Sequence, residues 1–344
     1  MKFPRYPGAM EAMKAFHSSR LTDAAELVKD TLATHLPGGA GSLSTMFTQG
    51  AGGVASADPS APAGSSFAGQ SFVHGGKSLH YRLYRPSSAQ QGMPLVVMLH
   101  GCTQSAEDFA RGTQMNKLAE AQGFLVAYPS QTHAANAQKC WNWFKPSDQQ
   151  RDRGEPALIA GITRQIIAEQ GCDPARVYIA GLSAGGAAAA VMASEYPDLY
   201  AAVGIHSGLP CGAARDVSTA LMAMKQGHRP SAGTGTAGFV PVITFHGDRD
   251  DTVAQVNSQN IIAAATQAAG TLPIQIENGQ VAGGRSYTRE VSLNGAGEPV
   301  IEQWTIHGGG HAWSGGSSAG TYTDAKGPDA SAEMMRFFLA HRLR

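Results

Sequence analysis

The chain has 344 residues, with 26 basic and 26 acidic side chains and a formal net charge of zero; charged residues are only 15% and apolar residues 42%. With no cationic excess, nucleic acid and anionic membranes are not expected partners. The apolar fraction is too high for a disordered chain, and no apolar run approaches the roughly 18 residues that span a bilayer. Its 42 glycines and 18 prolines make up about 17% of the residues, against roughly 12% in ordinary usage. The length suits one large domain or two average ones.

Residues 1–36 open the chain without the apolar stretch of a secretory signal. Met10, Met13, Phe16, Leu21, Ala24, Leu27, Val28 and Leu32 recur at the spacing of an amphipathic helix or helix pair. An N-terminal helical appendage is therefore expected over 1–36. Residues 37–70 are rich in Gly, Ser, Ala and Pro and almost uncharged, as in a flexible linker. The main domain is expected over 71–344.

Within it, Leu79, Tyr81 and Leu83 alternate with polar residues after Gly75-Gly76, as in a half-buried strand. Continuous apolar runs follow at 94–99, 124–128, 177–180, 201–205, 240–245 and 300–306. A polar helical stretch is expected over 105–121. Leu158, Ile159, Ile162, Ile166 and Ile167 mark one face of another helix, and a terminal helix is expected near 329–341. Apolar strands separated by helices predict an α/β fold, with a mainly parallel central sheet covered by helices on both faces.

The sharpest signal is VYIAGLSAGGAAAAVMA at 177–193. An apolar strand ends in Gly181-Leu182-Ser183-Ala184-Gly185 and an Ala-rich helix follows, the strand–turn–helix context of a nucleophile elbow. A serine hydroxyl is a weak nucleophile at neutral pH, so it needs a base and an orienting carboxylate. After the 240–245 run, Asp248, Asp250 and Asp251 compete for the acid. Asp250 is preferred because it lies far enough past the strand to reach across the sheet top. After the 300–306 run, His311 sits in a Gly-rich loop with freedom to reach the serine, whereas His307 still belongs to the strand end. His307 and His311 are four apart, but Gly308, Gly309 and Gly310 between them argue against a helical metal pair. No metal and no cofactor are expected.

An oxyanion needs two backbone donors. The Ala184 N–H is one. The other is expected from Cys102, in the His100-Gly101-Cys102-Thr103-Gln104 loop after the 94–99 strand. None of Cys102, Cys140, Cys172 and Cys211 forms a CxxC pair, so structural zinc is not expected. The four permit two disulfides or four thiols, with disulfides favoured because Cys102 and Cys140 both fall in loops assigned to the site. A Cys102–Cys140 bridge would stiffen the oxyanion loop and contribute ~3–4 kcal/mol in the chain-entropy model; the alternative is two buried thiols. Trp141, Trp143 and Trp313 also fall near these loops, either as a hydrophobic wall for the substrate or as a packing cluster; Trp304 alternates with Val300 and Ile306 and is expected in the core. The G-x-G-x-x-G at 233–238 precedes a strand instead of following one, so no nucleotide site is expected there.

Taken together, HGCTQ, CWNWF, GLSAGG, HSGL, FHGDRD and GGGHAWSGG resemble the poly(3-hydroxybutyrate) depolymerase-type esterases, relatives of feruloyl and acetylxylan esterases. The resemblance covers about 70–342. It implies an α/β-hydrolase fold, a secreted serine esterase, Ser183 as nucleophile, Asp250 as acid, His311 as base and Cys102 as an oxyanion donor. The expected partner is an ester: 3-hydroxybutyrate polyesters or oligomers first, plant-wall feruloyl or acetyl esters second. The visible N-terminus keeps a cytoplasmic location as the alternative. A non-catalytic binding protein on the same scaffold is the rival of another class.

Overall fold

A computed structural model describes residues 62–228 and 238–343. The helix expected over 1–36, the linker as far as residue 61 and most of the 233–238 glycine run lie outside the described residues.

The described chain builds a ten-stranded sheet. In chain order its strands are β1 (Ser66–His74), β2 (Lys77–Arg85), β3 (Leu95–Leu99), β4 (Leu125–Ser130), β5 (Val177–Leu182), β6 (Ala202–His206), β7 (Val242–Gly247), β8 (Ile274–Gln280), β9 (Ser286–Leu293) and β10 (Pro299–Ile306). Their spatial order is β1-β2-β4-β3-β5-β6-β7-β10-β9-β8. The run from β4 to β10 is parallel throughout, and antiparallel pairs close both edges. β1 starts at Ser66, inside the stretch assigned to the linker: Phe67 and Phe72 lie among its Gly and Ser residues and pack against the two cores.

The central strands read as continuous apolar runs because helices cover both faces. On one face Leu95, Val97, Leu99, Val177 and Ile179 pack against α3 (Gly154–Gln170), α4 (Ala184–Glu195), α5 (Val217–Gln226) and α6 (Val256–Ala269). On the other, Val96, Met98, Val126, Tyr178 and Ala180 meet α1 (Ala106–Thr113), α2 (Met115–Gln122) and α7 (Ala330–Leu339). The helix expected over 105–121 is thus two, because Gln114 takes a left-handed conformation with φ 56°. Ser105 caps α1 by accepting from the Asp108 N–H.

The β8–β9 hairpin carries no clear signal in the sequence. β8, IQIENGQ, lies on the sheet edge and is exposed along most of its length, and its only alternation, Ile274 and Ile276, is short and faces solvent. A short parallel pair, β11 (Trp313–Ser314) with β12 (Thr323–Asp324), forms beyond β10.

Candidate active site

All parallel strands of one sheet point their carboxyl ends to one edge, where an open α/β sheet places its ligands. The loops after β3, β5, β7 and β10 carry Cys102, Ser183, Asp250 and His311.

Ser183 stands between β5 and α4 with φ 57° and ψ −120°, a strained backbone for a residue with a side chain. The Ser183 N–H donates to the His206 carbonyl at 2.9 Å, and the Ser183 carbonyl accepts from Ala187 N–H at 2.9 Å, opening α4. The flanking glycines are explained by space. A Cβ on Gly181 would overlap the backbone of Gly185, and a Cβ on Gly185 would overlap the Leu99 carbonyl. Ala184 is the first residue of α4, where N–H groups have no intrahelical partner and form the positive end of the helix dipole.

Three aspartates competed for the acid, and each has a distinct environment. Asp250 Oδ2 accepts from His311 Nδ1 at 2.7 Å, while its Oδ1 accepts from the Thr252 and Val253 N–H groups at 2.9 and 2.8 Å. The Asp250 side chain is fully buried. Burial alone would raise its pKa, but the His246 and His311 imidazoles, 3.4 and 2.7 Å from Oδ2, outweigh it and hold the carboxyl well below the usual range. Asp248 accepts instead from His307 Nδ1 at 3.0 Å and Gly308 N–H at 2.7 Å. Asp251 is exposed and offers its carbonyl to Lys225. Because the Asp250 carboxylate only accepts, His311 carries its proton on Nδ1 and presents a bare Nε2.

The loop holding His311 does not have the freedom expected of it. The Gly309 carbonyl accepts from Arg249 N–H at 2.9 Å, Gly309 N–H donates to the Ile306 carbonyl at 3.1 Å, and Arg285 donates to the Gly308 carbonyl. A Cβ on Gly247 would overlap Gly309. Close backbone approach explains this part of the glycine run.

In the loop after β3, Cys102 is disulfide-bonded to Cys140. Gly101 N–H donates to Gln104 Oε1 at 2.9 Å and Thr103 N–H to the Gln138 carbonyl at 2.6 Å. With both neighbours engaged, the Cys102 N–H is the candidate donor of this loop. Cys172 and Cys211 are free thiols, so only one of two permitted bridges forms; burial pushes both up to about 11.

Two further buried histidines, to which the sequence motifs assign no role, brace the site. His100 Nε2 accepts from Gln131 N–H at 3.0 Å and its Nδ1 donates to the Gly101 carbonyl at 2.7 Å. His206 Nε2 accepts from Ser314 N–H at 3.0 Å. Burial lowers them to about 4 and about 3, so both are neutral struts. Their only sequence mark is the residue before a glycine or serine at a strand end.

The tryptophans resolve toward packing. Trp141 and Trp313 are 0% and 1% exposed and Trp143 6%. Trp141 Nε1 donates to the His100 carbonyl at 3.1 Å, and Trp313 Nε1 to Ser331 Oγ at 3.0 Å. Trp313 stacks on His206 and meets Phe109 edge-on, while Trp143 meets Phe144 edge-on. Burial of the three rings, with the Trp141 and Trp313 N–H groups bonded internally, fits the packing alternative. Trp304 is in the core, as expected. An aromatic that the sequence reading passed over is Tyr322, 40% exposed, with its hydroxyl 3.3 Å from Thr103 Oγ1.

A family model described as esterase PHB depolymerase matches residues 79–283. A poly(3-hydroxyalkanoate) depolymerase C from Paucimonas lemoignei is 34% identical over 237 residues, covering 66% of this chain and 56% of that protein. A feruloyl esterase B from Thermothelomyces thermophilus is 32% identical over 139 residues, covering 40% of this chain and 47% of its own. The chain therefore spans about half the length of these relatives. Among solved structures, an acetyl xylan esterase from Aspergillus awamori superposes with a TM-score of 0.60 at 19% identity, over 79% of this chain and 99% of that one. The fold is that of the α/β-hydrolases.

Proposed function

Because this chain belongs to the PHB depolymerase esterase family, we propose that it is a serine carboxylic-ester hydrolase using Ser183, His311 and Asp250. The observation that carries the reading is the buried Asp250–His311 hydrogen bond of 2.7 Å, on the sheet edge where Ser183 tops its strained turn. That bond fixes the imidazole tautomer a serine nucleophile requires.

In the proposed reaction, His311 Nε2 takes the Ser183 hydroxyl proton as Oγ attacks the ester carbonyl. The carbonyl oxygen becomes an oxyanion held by the N–H groups of Cys102 and Ala184. The tetrahedral intermediate collapses, the C–O bond breaks, and the alcohol leaves with the proton from His311. Water then attacks the acyl-serine, giving its proton to His311. Collapse of the second intermediate returns that proton to Ser183 and releases the acid. Asp250 stabilises the imidazolium through both halves.

For substrate, the reading favours 3-hydroxybutyrate polyesters or oligomers, supported by the names of a poly(3-hydroxyalkanoate) depolymerase matching 66% of the chain and a poly(3-hydroxybutyrate) depolymerase matching 79% of it. Feruloyl or acetylxylan esters are the second reading, supported by the feruloyl esterase match. The Cys102–Cys140 bridge favours an oxidising compartment. A panel of hydroxybutyrate oligomers, amorphous polymer, methyl ferulate and acetylated xylan ranks these by kcat/KM. Hydroxybutyrate oligomers are expected first; faster methyl ferulate would overturn that order. A folded protein inert to all four, and to a fluorophosphonate probe, would be a binding protein instead.

A further inference from the structure

The second residue of α3, Glu155, has no place in the proposed proton path. No ion pair engages it among the described residues. Its carboxylate instead gathers three donors: Asn142 N–H at 2.7 Å, Asn142 Nδ2 at 2.6 Å and Gln131 Nε2 at 2.5 Å. All three come from the segment 131–142, which runs from the end of β4 to the tryptophan loop.

That segment is the support of the oxyanion loop. Asn142 Oδ1 accepts from Asn136 Nδ2 at 3.1 Å, and Asn136 Oδ1 accepts from the N–H groups of Gln138 and Cys140 at 2.9 and 3.3 Å. Gln138 in turn accepts from Thr103 N–H, and Cys140 is bonded to Cys102. Gln131 N–H and Trp141 Nε1 hold the ring and the carbonyl of His100. The segment therefore grips residues 100, 102 and 103, and Glu155 grips the segment at both ends.

Resting on the reading of the site as an esterase, we propose that Glu155 is a positioning residue for the oxyanion donor Cys102, acting through the 131–142 segment. The Glu155 oxygens suit this place because all three neighbours donate to them. A glutamine would turn an NH2 group toward one of those donors. The oxyanion contact tightens in the transition state, so a displaced donor costs rate more than substrate affinity.

The test is steady-state hydrolysis of p-nitrophenyl butyrate by Glu155→Gln, Cys140→Ala and the double variant. Folding is checked by circular dichroism and Ser183 by fluorophosphonate labelling. Glu155→Gln is expected to lose about 10- to 100-fold in kcat with KM changed less than about twofold. The double variant is expected to lose far less than the product of the single losses, since both act through one segment. Wild-type kcat in a folded Glu155→Gln, a loss confined to KM, or losses that multiply in full would each overturn the proposal. If Glu155→Gln does not fold, Gln131→Ala removes one donor and leaves the carboxylate; a smaller loss in kcat supports the proposal, and an unchanged kcat overturns it. If the wild type neither hydrolyses the ester nor takes the label, the esterase reading itself fails and takes this inference with it. A labelled, active wild type beside an unaffected variant removes the inference alone.

Discussion

The two sides of the proposed site are built by different means. Around Ser183 the geometry is made by backbone: a strand, a turn and a helix adjacent in sequence, with glycines wherever two backbones touch. Around Cys102 and in the Asp250–His311 pair it is made mostly by side chains from distant segments: a disulfide, a buried carboxylate, neutral histidines and Glu155, with close backbone contact at Gly247 and Gly309. Local construction tolerates no added atom. Construction by side chains is adjustable, and its parts should fail one at a time.

The largest effect belongs to the backbone side. Gly185→Ala places a methyl group on the Leu99 carbonyl, and neither strand nor helix can yield. We expect loss of soluble protein or destabilisation beyond about 3 kcal/mol, read by urea unfolding. Near-native stability would break the contrast. Next, Asp250→Asn should lower kcat by roughly 10³- to 10⁴-fold with the fold intact. Asp248→Asn, which disturbs the bonds to His307 and Gly308 N–H and not the Asp250–His311 pair, should cost less than about tenfold; the reverse order would move the acid to Asp248. Cys140→Ala should lose about 2–4 kcal/mol of stability together with part of kcat, and reduction by dithiothreitol should reproduce both.

The smallest effect is a pH dependence, and the two carboxylates have opposite signs. Asp250 is depressed, so its contribution to stability is present above its unfolded value near 3.9 and fades as the pH falls below that. Glu155 is raised to about 7, chiefly by desolvation, with Asp148 adding to the rise and the hydrogen bonds from Asn142 and Gln131 opposing it. Its contribution is present below its unfolded value near 4.3 and is lost as the pH rises through about 7. Relative to wild type, Glu155→Gln should therefore gain about 2–3 kcal/mol between pH 5 and pH 8. A pH-independent difference in melting would show that Glu155 does not titrate as the structure indicates.

The same contrast decides what the sequence could show. Ser183 was legible because strand, elbow and helix lie in one short stretch, and Asp250 and His311 because each closely follows an apolar strand. The parallel core was legible for the same reason. The partners that hold these residues were not: His100 meets Gln131, Glu155 meets Asn142 and His206 meets Ser314 only after the chain has folded. The two readings of Trp141, Trp143 and Trp313 stay open in the sequence because adjacency to a site says nothing about which way a ring points. The exposed β8 edge gave only the short alternation of Ile274 and Ile276 to read.

The central claim is that Ser183 is a nucleophile. Mass spectrometry of the protein after reaction with a fluorophosphonate tests it most directly. We expect one covalent adduct, on Ser183, with ester hydrolysis lost in step, and neither adduct nor hydrolysis in a folded Ser183→Ala variant. An unmodified Ser183 in folded wild type, or hydrolysis that survives Ser183→Ala, would contradict it.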